Sequence, residues 1–68
     1  MIKYDKLRKT MKEKNVSWYK LAKAGIGNST LDKLKRNESV TINTINTLCK
    51  LLNCRVEDIM EYVEEGNE

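Results

Sequence analysis

The chain reads as an all-α domain, a compact five-helix bundle with one possible short β pairing between its ends. Three features lead there. First, one pattern recurs at Val16/Leu21, Ile26/Leu31, Val40/Ile45 and Cys54/Ile59: two apolar residues five positions apart. That is the spacing at which the residue before a helix cap packs on the fourth helical residue. Second, the apolar residues between these points return after three or four positions, as on a helix face. Third, there is no proline, linker or repeat in 68 residues, a length that suits one small domain near the lower limit for folding without staples.

The elements follow in order. A first helix covers about Tyr4–Lys14, with Tyr4, Leu7 and Met11 on one face. Ser17 is a good cap for a second, whose apolar face is Trp18, Leu21 and Ala22. Gly25 then stands where a helix end needs positive φ. A third helix starts at Gly27–Asn28 and buries Leu31 and Leu34, with Thr30 partly packed beside them. Its outer face carries Asn28, Ser29, Asp32, Lys33 and Arg36. Helices two and three, joined by a short glycine-bearing turn, make a helix-turn-helix. KRNESV is a loop, and Asn37 is suited to a left-handed helix end. Thr41 caps a fourth helix over about Ile42–Leu52, whose apolar face is Ile42, Ile45, Leu48, Cys49 and Leu52. Asn53 ends it. A short fifth helix is expected near Val56–Met60, with Glu57 and Asp58 in the first turn, where the helix dipole favours acids. The end segments MIKY and EYV are strand candidates, paired within one chain or between two.

Charge separates the chain into halves. Residues 1–38 hold eleven Lys and Arg against four acids, +7, and residues 39–68 hold two against six, −4. The basic half coincides with the helix-turn-helix, as expected of a surface that meets phosphates. Catalysis is not expected, because histidine is absent and no serine or cysteine has an evident base. No cofactor or small-molecule ligand is indicated. Cys49 and Cys54 alone do not supply a zinc site, and buried packing is the better account of both. MIKYDKLRKTMK lacks the apolar core of a secretory leader, and no apolar run approaches the roughly 20 residues of a membrane span. A cytoplasmic location with reduced thiols is therefore expected.

Val16–Ser17, Leu21–Ala22, Ala24–Gly25–Ile26–Gly27, Ser29–Thr30–Leu31, Leu34, Thr41 and Val56–Glu57–Asp58–Ile59 resemble the lambda-repressor-like (Cro/Xre) helix-turn-helix family over nearly the whole chain. The resemblance implies a five-helix fold and a regulator, a repressor, that binds operators in bacteria or their phages. It places Asn28, Ser29 and Lys33 on base-reading positions. It places Ser17 and Trp18 on the phosphate-contacting start of the second helix, and Lys35, Arg36 and Asn37 on the backbone-contacting loop. Two departures stand out. Only Lys23 and Ala24 separate Ala22 from Gly25, where the family usually has three residues, and Trp18 stands where glutamine is common.

Individual residues carry two readings. Asn28 suits a bidentate pair with adenine and Lys33 a contact to guanine, or Asn28 caps its helix and Lys33 is solvated. Trp18 either packs in the core or offers its indole N–H to a phosphate. A single third helix reads few base pairs, so a homodimer on double-stranded DNA is expected, its interface drawn from Met60, Tyr62 and Val63 at the far end of the bundle. The alternative function is a protein-interaction module of the same fold, antitoxin-like or antirepressor-like, that reads no DNA.

Overall fold

Residues 1–64 are described by the structure, a computed structural model. Four α-helices run in order: α1 (Asp5–Lys14), α2 (Trp18–Lys23), α3 (Asn28–Lys35) and α4 (Ile42–Leu52). A 3-10 turn follows at Val56–Asp58, and two short strands, β1 (Ile2–Lys3) and β2 (Glu61–Tyr62), bracket the whole.

Every one of these α-helices ends in the same manner. Asn15 (φ 60°), Gly25 (φ 111°), Asn37 (φ 60°) and Asn53 (φ 50°) adopt left-handed backbone just past the helices. Glycine and asparagine tolerate that conformation best. The next residue's N–H then turns back to a carbonyl five positions earlier: Val16 to Met11 (2.8 Å), Ile26 to Leu21 (3.2 Å), Glu38 to Lys33 (2.8 Å) and Cys54 to Cys49 (3.0 Å). This is the Schellman closure, which satisfies carbonyls the helix leaves open. Val16, Ile26 and Cys54 serve twice, because each also precedes the cap of the next element. Their staple partners Leu21, Leu31 and Ile59 are all buried, and Val40 with buried Ile45 repeats the arrangement. One side chain thus closes one helix and aims the next.

The caps match the residues expected to supply them. Ser17 Oγ accepts the Lys20 N–H and Thr41 Oγ1 accepts the Thr44 N–H, both at 3.2 Å. Tyr4, placed by its spacing in the first helix, instead precedes α1 and is buried. The core gathers Tyr4, Leu7, Met11, Leu21, Ile26, Leu31, Leu34, Ile45, Leu48, Leu52 and Ile59. Thr10 is buried beside it and donates to the Asp58 carbonyl at 2.7 Å, joining α1 to the 3-10 turn.

Two expectations need correction. The helical spacing puts Ile42 on the core face of α4, but the residue is 81% exposed. At about 100° per residue, the stripe of Ile45, Leu48 and Leu52 leaves Ile42 and Cys49 on its rim. Cys54 covers the side near Cys49, while Ile42, in the first turn, has no packed partner in the core. The fifth helix is a single 3-10 turn. Asp58 Oδ2 accepts the Arg55 N–H at 3.1 Å, Ile59 drops into the core, and the chain leaves at once for β2. Burying Ile59 and pairing Glu61–Tyr62 leaves no length for a second turn.

The end segments pair within one chain. β1 and β2 are antiparallel, Ile2 opposite Tyr62 and Lys3 opposite Glu61. Beyond them the Val63 N–H donates to the Met1 carbonyl at 2.8 Å, and the Met1 ammonium to the Val63 carbonyl at 2.7 Å. No helix among the described residues is long and apolar enough to cross a membrane.

Candidate nucleic-acid interface

Helix α3 divides cleanly. Leu31 and Leu34 are buried and Thr30 is half-buried, while Asn28, Ser29, Asp32, Lys33 and Arg36 are exposed. Its cap is Gly27, in extended backbone, with no side-chain hydrogen bond. Asn28 therefore does not cap the helix. Its side chain is exposed and makes no hydrogen bond among the described residues, so both its donor and acceptor groups face solvent.

Several contacts pin the C-terminal end of α3 to α1. The Arg8 guanidinium donates to the Lys35 carbonyl at 2.9 Å. Asn37 Oδ1 accepts the Tyr4 N–H at 2.8 Å, and the Tyr4 hydroxyl donates to the Glu38 carbonyl at 2.9 Å. Burial pushes the Tyr4 phenol above its usual range, with a backbone contact from Val40 opposing, so the phenol stays protonated and donating at neutral pH. The loop that carries Lys35 and Arg36 is thereby held, not loose. Asn37, expected on the DNA backbone, is half-buried with its carbonyl oxygen already engaged.

Trp18 brings the helix-turn-helix and this loop together. It is half-buried and packs on the core, and the Lys35 ammonium lies 5.2 Å from its ring centroid, a cation–π distance. Arg36 lies 4.0 Å from Glu38, an exposed pair that contributes little. Ser17 spends one lone pair on its cap and keeps its hydroxyl proton. The short spacing between Ala22 and Gly25 leaves α2 with six residues, and the turn still closes through the Ile26–Leu21 bond.

The residue-by-residue reading of the sequence missed part of this surface. Arg8, Lys12 and Lys20 line grooves between α1 and the start of α2, beside Ser17 and Trp18. Arg8 and Lys12 are four apart, one position on from buried Leu7 and Met11. That spacing could have placed them on a common exposed edge.

The residues expected at a subunit interface lie in the tail, around β2. Met60 packs on the core and lines a groove with Ile2, Tyr4 and residues 37–40, so the tail lies beside the α3–α4 loop. Val63 is half-buried, whereas Tyr62 is 70% exposed opposite Ile2. Among the described residues no group of three or more His, Cys, Asp or Glu side chains could hold a metal ion.

A basic helical surface with an exposed polar recognition-type helix, set by a tight glycine turn, defines a helix-turn-helix protein. The profile of the Cro/C1-type HTH DNA-binding domain matches residues 6–65, and the chain belongs to that family. Among solved structures, that of the transcriptional regulator VanUg (form II) is similar, with a TM-score of 0.87 and 34% identity. The match covers 94% of this chain and 87% of that one. No curated protein matches the sequence.

Proposed function

We propose that residues 1–68 act as one sequence-specific, double-stranded DNA-binding unit, a transcriptional regulator that represses, of bacterial or phage origin. The observation that carries this reading is the outer face of α3. Asn28, Ser29 and Lys33 stand exposed there, in the basic half of the chain, on a helix whose far end is tethered to α1. In this reading α3 enters the major groove, where base edges carry a distinct donor and acceptor pattern. Ser17, Trp18, Lys35, Arg36 and Asn37 meet phosphates, with Arg8, Lys12 and Lys20 extending the same basic surface. The similarity to a named transcriptional regulator supports the assignment. The protein works in the cytoplasm, where its DNA is, and needs no cofactor or catalysis.

The test is salt-dependent binding to duplex DNA. Log affinity should fall linearly with log salt, with a slope near −0.9 per neutralised phosphate. Lys35→Ala and Arg36→Ala should each weaken all sequences alike and make the slope shallower by about one. Lys35→Ala keeps the Arg8 contact, which is to the backbone carbonyl, but takes the ammonium off the Trp18 ring, so its unfolding midpoint is measured beside the parent's. Affinity that stays flat with salt, or no duplex bound at low salt, would overturn the reading and leave a protein-interaction module.

One α3 contacts too few base pairs to select an operator, so the operator complex is a two-fold homodimer. Half-sites then lie about 34–36 Å apart, one helical turn. Exposed Tyr62, with Val63 beside it and Met60 beneath, supplies the contact between subunits. Sedimentation at micromolar concentration should show a dimer. A single species near 7.9 kDa would exclude a dimer in free solution.

A further inference from the structure

Cys49 and Cys54 take no part in DNA reading, yet the fold brings them together. In a continuing helix, residues five apart would point about 140° away from each other. Asn53 prevents this. Its left-handed backbone (φ 50°, ψ 54°) reverses the chain, and the Cys54 N–H closes on the Cys49 carbonyl at 3.0 Å. The equivalent positions at the ends of α1 and α2 are Met11/Val16 and Leu21/Ile26, the apolar pair that accompanies this helix ending. At the end of α4 the same two places hold thiols, on two residues whose backbones are joined by that 3.0 Å hydrogen bond. Both cysteines are free and half-buried, so each is open to reagents from solvent.

We propose that Cys49 and Cys54 form a dithiol site that closes to an intramolecular disulfide by exchange with a small-molecule disulfide. The thiolate of one cysteine attacks a sulfur of the small disulfide, giving a mixed disulfide and releasing one small thiol. The second cysteine's thiolate attacks the protein sulfur of that mixed bond. A Cys49–Cys54 bond forms and the second small thiol leaves. Two protein thiols are oxidised and one small disulfide is reduced to two thiols, which carry off the two protons. Burial pushes the Cys54 thiol up, Cys49 and Asp58 push the same way, and Lys14 opposes them. Exchange therefore quickens as pH rises, because the thiolate is the nucleophile.

The test exposes the reduced 68-residue chain to oxidised glutathione at mildly alkaline pH and measures intact mass after an acid quench. The expected product is a monomer lighter by two hydrogen atoms. It has lost both alkylatable thiols and regains them in excess dithiothreitol. Stable glutathione adducts, a disulfide-linked dimer, or two unreacted thiols would each overturn the proposal. A second measurement repeats the equilibration in urea. The folded chain should keep its disulfide in a more reducing glutathione buffer than the unfolded chain does. Equal behaviour in both would show that the fold does not bring the thiols together. Neither measurement involves DNA, so the outcome is independent of the DNA-binding assignment.

Discussion

Leu48→Ala leaves the chain largely unfolded at room temperature. Leu48 is fully buried at the middle of α4, among side chains from the other helices. Truncating a leucine in such a site costs about 2–5 kcal/mol, part of it for the cavity left behind. A core of this size yields only about 3–5 kcal/mol net, so the loss is comparable to the whole stability. Urea titration followed by helical circular dichroism should show the transition weakened or gone. Ile42→Ala is the matched control. It removes an aliphatic side chain from the same helix, but one that is 81% exposed. Its effect should stay within about 0.5 kcal/mol. A Leu48 variant as stable as its parent would mean that α4 does not anchor the core.

If α3 reads bases as proposed, Asn28→Ala and Lys33→Ala should alter recognition without touching the fold. Each should weaken the cognate site by about 1–3 kcal/mol while leaving non-specific duplex binding unchanged. The structure makes Asn28→Ala informative, because Gly27 caps α3 and the Asn28 amide makes no hydrogen bond among the described residues. Unfolding midpoints should match the parent protein. Binding assays on the selected operator and on a scrambled duplex separate the two effects. If the Lys35 and Arg36 variants lost sequence preference while these two kept it, the reading surface would lie on the loop instead of on α3.

Much of the fold was legible because its signals are local. Ser17 and Thr41 accept N–H groups three residues on, and Gly25, Asn37 and Asn53 reverse the chain where their residue types tolerate it. The staple pairs sit five apart in sequence, and all eight residues lie in the core or pack against it. Such contacts depend on the order of a few neighbours, so periodicity and cap chemistry reveal them. The family was legible for the same reason, since its motif lies in one continuous stretch and the matching profile runs over residues 6–65.

By itself, then, the sequence determined where α2, α3 and α4 start and stop, which face of α3 stays polar, and which half of the chain is basic. Tertiary structure alone decided what sits across from what. It left Ile42 in solvent because α4's packed stripe is rotated toward Ile45, Leu48 and Leu52. It reduced the last helix to one turn so that Ile59 could be buried and Glu61–Tyr62 could pair with Ile2–Lys3. It set Lys35 over Trp18, joined Arg8 to the end of α3 and engaged Asn37 with Tyr4. These partners are 17, 27 and 33 residues apart along the chain. No spacing rule reaches that far, because such contacts depend on how whole helices pack and not on the order of neighbouring residues.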